Sequence, residues 1–244
     1  FWIKNMLKKF HNIPFVSGHN INVIKQLSET FDVKLYHVDT HPITSLTQNK
    51  HHEKYTKFDS FNAYQPYNIR IGIMLRPHTP RRATARSLNL LDRFARLNLP
   101  NVEFHTFGCE MSTFRTIFPK QLYENNTNTF LKHHGILDRA QMVRFLKTID
   151  MFVDVSLWQA FGFTAFEGMS AGVVPIIQNT SGLATYVIHD ENGILVQERD
   201  GAADGSAQRL IIPYMNAIRN LIKNKIKLNR LSHSAKTTAR NYER

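Results

Sequence analysis

Between residues 68 and 196, short apolar runs alternate with amphipathic stretches about six times, and that rhythm restricts the fold more than any other feature of the chain. The runs lie at 69–75, 102–107, 130–134, 151–155, 173–177 and 194–196. Short runs of this kind read as strands, and the one at 151–155 as a buried strand. The stretches between them read as helices. Over 83–97, Leu88, Leu90, Leu91, Phe94, Ala95 and Leu97 form a broad apolar face. A short helix is expected over 111–118. Another is expected over 139–149, capped by Asp138, with Met142, Val143, Leu146 and Ile149 facing inward. Strands alternating with helices form parallel βαβ units, so the expected fold is α/β, a doubly wound parallel sheet of about six strands. Right-handed crossovers set the loops after the strands on one edge, so loops near Arg76, Gly108, Gly135, Gln159 and Ser181 are expected to line one crevice.

The flanks differ. Residues 1–45 hold a helix over 1–10, a strand over 13–17, a helix over 21–31 and a strand over 33–38, one further βαβ unit. The second of these helices is capped by Asn20 and carries Ile21, Ile24, Leu27 and Phe31 on one face. The texture turns polar from Thr40 to Tyr67, and 46–67 reads as a linker or long loop. Its histidines match no zinc-binding spacing. A sheet domain is expected over 68–205, then two helices over 210–223 and 227–242 within a basic segment, 206–244.

Hydrophobic residues make up 42% of the chain and charged residues 20%, which excludes a disordered polymer. No apolar run approaches the roughly 18 residues of a membrane span. The single cysteine, Cys109, excludes an internal disulfide and suits a reducing compartment. The chain opens on Phe1 without a secretory leader or a methionine and is expected to be part of a longer protein. Net charge is +12, and residues 206–244 hold nine Lys or Arg against one acid, Glu243. That excess suits an anionic partner or a solvated helix face, and the sequence leaves both open.

Two stretches can carry chemistry. Directly after the run at 69–75, the loop holds Arg76, Arg81 and Arg82 with Pro77 and Pro80 to stiffen it. Guanidinium groups pair bidentately with phosphate oxygens, so a rigid basic loop fits a diphosphate; ordinary surface salt bridges are the other reading. The second stretch, 156–172, sets Gln159, Phe161, Gly162, Phe163 and Thr164 before or at the start of a helix that contains Glu167. Gly162 lets the backbone approach a phosphate, and the helix N-terminus favours negative charge. A carboxylate within the first helical turns can accept hydrogen bonds from vicinal ribose hydroxyls.

These residues resemble the C-terminal, donor-binding domain of retaining GT-B glycosyltransferases, the group 1 or family 4 type. That family carries a strand ending in Ser, then Glu, Phe-Gly, and a second Glu eight positions after the first, followed by Ala-Met-Ala-x-Gly. Here the run is Ser156, Gln159, Phe161-Gly162, Glu167 and Gly168-Met169-Ser170-Ala171-Gly172. The family's basic pair matches Arg76 and Arg82, and its late turn resembles 190–196. The likeness spans roughly residues 68–200. It implies a metal-independent, retaining glycosyltransferase that needs no cofactor beyond its nucleotide-sugar donor. In that reading Arg76, Arg82, Gln159 and Glu167 serve catalysis. The donor is held by Arg76, Arg82, Gly135, Ile136, Leu137, Phe161, Gly162, Phe163, Thr164 and Glu167, with the base near Gly135 to Leu137 and the ribose at Glu167. Residues 1–45 become the remnant of an N-terminal, acceptor-binding domain, where His19 is either catalytic or a local cap.

The implied partners are a nucleotide sugar, a glycan or lipid-linked acceptor, and an anionic membrane surface for the basic helices. The implied location is cytoplasmic, peripheral to the inner face of a membrane. No nucleic-acid partner is expected, because the basic tail offers aliphatic rather than stacking side chains. The family's first Glu is Gln159 here. This departure and the short first domain keep open a non-catalytic nucleotide-sugar binder, and a GT-B nucleotide-sugar epimerase, which shares the nucleotide half, is the enzymatic alternative.

Overall fold

The computed structural model describes residues 14–17, 36–39, 68–118, 130–157, 159, 162–179, 182–197 and 207–242. Strands β1 (Pro14–Ser17) and β2 (Tyr36–Asp39) pair in parallel, Pro14 opposite Tyr36 and Ser17 opposite Asp39. Both fall at the expected strands of the first unit. The helices expected over 1–10 and 21–31, the linker over 46–67, His19 and Phe161 lie outside the described residues.

All six strands expected after residue 68 are present: β3 (Ile69–Met74), β4 (Val102–Phe107), β5 (Leu131–His133), β6 (Met151–Asp154), β7 (Val174–Gln178) and β8 (Ile194–Val196). They form one sheet in the order β5-β4-β3-β6-β7-β8, and every neighbouring pair is parallel. The chain therefore starts in the middle, winds outward to β5, returns beside β3 as β6, and winds out the other way. That reversal is the topological switch point of a doubly wound sheet, the place where such sheets bind ligands.

Helices α1 (Thr84–Leu97), α2 (Met111–Ile117), α3 (Arg139–Leu146), α4 (Phe163–Ser170), α5 (Ala207–Lys223) and α6 (Lys225–Asn241) cover the sheet. Strand residues alternate between two apolar layers, as period-two geometry requires. On one face Ile69, Ile71 and Ile73 of β3 pack with Leu90, Leu91 and Phe94 of α1 and with Ile211, Tyr214 and Ile218 of α5. On the other, Phe107 and Phe152 pack with Phe145, Phe166, Met169 and Ala235 from α3, α4 and α6. Burying one such aromatic or aliphatic side chain stabilises the fold by about 1.5–3 kcal/mol. Asp138 caps α3 in a capping box: its carboxylate accepts from the Gln141 N–H at 2.7 Å, and the Gln141 side chain accepts from the Asp138 N–H at 2.8 Å.

The first terminal helix carries an apolar stripe, since Ile211, Tyr214, Ile218 and Leu221 are fully buried. It is used within this domain. Helix α5 packs on α1, and α6 packs on α4. None of the described helices is long and apolar enough to cross a membrane.

Candidate functional site

The loop after β3 is built by its prolines. Leu75 N–H donates to Phe107 O at 2.7 Å, and the chain then turns through a 3-10 helix, Pro80–Arg82, that opens on proline. Thr79 N–H donates to Arg76 O, and Arg82 N–H donates to Thr79 O, both at 2.9 Å. Ala83 leaves the turn in the left-handed region at φ 48°. The loop after β6 is fastened to this one, because Leu157 N–H donates to Arg81 O at 2.8 Å. Gly162 then caps α4 at φ 91°, a conformation glycine adopts without cost.

Between the two loops lies a cavity of about 320 Å³ lined by Arg76, Arg81, Arg82, Asp154 and Gln159, and by Gly162, Phe163 and Thr164 at the start of α4. The structure thus brings together six of the predicted residues: Arg76, Arg82, Gln159, Gly162, Phe163 and Thr164. The lining holds three arginines against one carboxylate, and the positive end of the α4 dipole adds to that excess. Burial lowers the Arg82 pKa. The nearby Asp154 opposes this, and Arg81 and Arg76 add to it. The Arg82 Nε is buried and has no hydrogen-bond partner among the described residues.

Asp154 and Gln159 organise the floor. Asp154 Oδ1 accepts from the Ser156 N–H at 2.9 Å, and its Oδ2 lies 3.7 Å from Arg82. The Gln159 amide donates to Asp154 Oδ2 at 2.8 Å and to Ser156 Oγ at 3.2 Å, while its carbonyl accepts from Arg81 at 3.1 Å. The backbone carbonyl of Gln159 accepts from Gly182 N–H at 3.0 Å. Sequence reasoning missed Asp154 as a site residue. The available signal was a carboxylate at the end of an otherwise apolar strand.

The other described residues of the prediction, Gly135, Ile136, Leu137 and Glu167, do not line this cavity. Glu167 is one turn beyond Phe163 on α4, and its side chain forms an ion pair with Arg139 at the start of α3. Gly135, Ile136 and Leu137 form the link between β5 and α3. Gly108 N–H donates to Gly135 O at 2.7 Å, which ties the loop after β4 to this link. Gly135 sits at φ 69° with open space where a Cβ would be, and Ile136 is 60% exposed. The Arg139–Glu167 pair therefore connects the predicted base-binding link to the helix that opens on the cavity. A second cavity, of about 240 Å³, opens at the opposite edge around Asn68, Asn98, Pro100 and Glu103, and none of the described predicted site residues lines it. Among the described residues no cluster of His, Cys, Asp or Glu has the arrangement of a metal site.

Strand order and a cationic crevice at the switch point define a Rossmann-like α/β domain. The chain belongs to the glycosyl transferases group 1 family, whose model matches residues 84–238. The match begins just after Arg82, so it covers α4 and Glu167 but not the arginine loop. No curated protein matches the sequence.

Solved structures share the fold. The C-terminal domain of a group 1 family glycosyl transferase, LpcC from Francisella tularensis, is 16% identical over 72% of this chain and 86% of its own, with a TM-score of 0.56. Sucrose-phosphate synthase from Thermosynechococcus elongatus is 17% identical over 98% of this chain and 56% of its own, at 0.62. Anabaena HepE, solved with UDP and glucose, is 22% identical over 72% of this chain and 44% of its own, at 0.53. The chain thus spans about half of the last two proteins.

Proposed function

We propose that this domain binds the nucleotide-diphosphate sugar donor of a glycosyltransferase in the crevice between the loops after β3 and β6. The carrying observation is the buried Nε of Arg82, without a partner among the described residues, in the wall of a cavity with a net cationic lining. A buried donor without an acceptor costs about 1–3 kcal/mol, and a phosphate oxygen would remove that cost.

In this reading Arg76 and Arg82 hold the diphosphate and carry the charge that develops on it as the glycosidic bond to the nucleotide breaks. The backbone of Gly162, Phe163 and Thr164 approaches the distal phosphate or the sugar. Glu167 keeps one oxygen toward Arg139 and offers the other to ribose hydroxyls, and the base rests on the link from Gly135 to Leu137. The arginines and the α4 terminus supply the electrostatics without a metal. Transfer to a glycan or lipid-linked acceptor retains anomeric configuration. The acceptor-binding surface comes from a domain that precedes this one. UDP in the HepE structure favours a uridine donor as the first candidate.

Titration calorimetry with UDP, GDP, ADP and dTDP tests the reading. One nucleotide binds; Arg82→Ala lowers its affinity at least tenfold and Glu167→Ala lowers it severalfold. Failure of all four to bind refutes the donor site. Product analysis of the transfer reaction separates a transferase from an epimerase.

The exposed cations Arg219, Lys223, Lys225 and Arg240, with Ile226 at 85% exposure between two lysines, suit an anionic membrane surface at the cytoplasmic face. Co-sedimentation with phosphatidylserine vesicles but not with neutral phosphatidylcholine vesicles is the expected result. Equal recovery with both overturns it.

A further inference from the structure

Asp154 is the one carboxylate among the residues that line the cavity, and its side chain is 10% exposed. A carboxylate has about four acceptor positions. Among the described residues hydrogen bonds fill two, from the Ser156 N–H and the Gln159 amide; Arg82 at 3.7 Å is an ion-pair neighbour beyond hydrogen-bond reach. Two positions are left for groups that donate hydrogen bonds.

Gln159 is in the opposite condition. Both hydrogens of its amide are engaged, by Asp154 and Ser156, so it has none to give a ligand. Its carbonyl faces Arg81. A neutral amide can stand between a guanidinium and a carboxylate because it presents an acceptor to one and a donor to the other.

We propose that Asp154 is a specificity-determining residue that accepts hydrogen bonds from hydroxyl groups of the donor sugar, and that Gln159 is the positioning residue that holds it. The proposal rests on the donor-site reading above. The diphosphate is left to the arginines, and the sugar meets the single negative wall of the cavity.

The experiment measures affinities for UDP, GDP, ADP and dTDP and for the glucose conjugate of each. The ratio of conjugate to free nucleotide isolates what the sugar contributes. For the base that binds, Asp154→Asn is expected to cut that ratio at least fivefold while the free nucleotide binds within threefold of wild type or more tightly. If no nucleotide binds the wild-type chain, the donor reading fails and the sugar role falls with it. If nucleotide binding persists and Asp154→Asn leaves the ratio unchanged, the proposal is overturned and the donor reading stands.

Gln159→Glu gives a second, independent arm. It sets a second carboxylate at the 2.8 Å contact with Asp154. Arg76, Arg81 and Arg82 face this pair from the loop after β3, and the two carboxylates would share a proton. Conjugate affinity in this variant is expected to rise at least fivefold from pH 8 to pH 5.5. In Asp154→Asn with Gln159→Glu, where amide and carboxylate change places, that pH dependence should vanish. An equal pH profile in the two variants shows that the residues are not coupled and overturns the positioning role. Thermal melts confirm that each variant folds.

Discussion

Acidification should destabilise this domain, and His105, whose burial lowers its pKa as burial also lowers those of His133 and His134, gives the effect a size. His105 lies on β4 with its side chain 7% exposed. Its Nε2 is 3.2 Å from Glu103 and its Nδ1 is 2.9 Å from His134 Nε2. The distances fit two neutral rings, with His105 donating to Glu103 and accepting from His134. Burial lowers the His105 pKa to about 4; Glu103 opposes that, while His134 and Lys132 reinforce it. A histidine neutral when folded and free to protonate when unfolded contributes stability above its unfolded pKa, about 6.5, and loses it as pH falls. Between pH 7.5 and pH 5 the unfolded ring takes up a proton that the folded ring refuses, which costs about 2 kcal/mol.

Glu103 changes little over that span. Burial raises its pKa, but hydrogen bonds from Asn68, Lys132 and His105 outweigh burial and set it below the ordinary value, so its loss begins lower. Urea melts at pH 7.5, 6 and 5 measure the effect, with His105→Gln as the comparison because it keeps a donor toward Glu103. Wild type should lose about 2 kcal/mol more than the variant over this range. Equal losses in the two proteins would refute the assignment.

Phe166→Ala should cost about 3–5 kcal/mol in denaturant melts, because the ring is fully buried and packs edge-on to Tyr186 and Tyr242. Asp138→Ala should cost about 1 kcal/mol through loss of the α3 cap, read by the same melts. Gly162→Ala should cost about 1 kcal/mol or more from the left-handed backbone at that position, and it should weaken nucleotide binding in the titration more than it lowers the melting temperature.

The strands were legible because both faces of this sheet are covered. A strand without a wet face can dispense with polar alternation, so β6 and β7 stand out as apolar runs, whereas β3 and β4 were read from apolar residues at every second position. Helix ends were less legible. The periodic pattern carried α3 through Ile149, yet the helix stops at Leu146. Thr148 closes it, its N–H and its hydroxyl both donating to Phe145 O at 2.9 and 2.7 Å. Ile149 is still fully buried, but it reaches the core from outside the helix. Its side chain occupies the space where a Cβ on Gly72 would lie, 2.5 Å away. Burial and helicity coincide along most of a helix and part at its end, and a periodicity count registers only burial.

The site divides along the same line. The arginine loop and the Gly162 helix start are local in sequence and could be read there. The contacts that set their chemistry join residues far apart: Arg81 with Gln159, Arg82 with Asp154, Arg139 with Glu167. Their cause is the strand register. Ile73 of β3 stands opposite Val153 of β6, so Met74 and Asp154 end their strands at one height. The helices that follow leave to opposite faces, α1 with the layer around Phe94 and α4 with the layer around Phe166. No helix stands between the two loops, and the gap is the cavity. A chain that starts its sheet in the middle must leave such a gap beside its first strand. The sequence places three arginines and an aspartate at its rim.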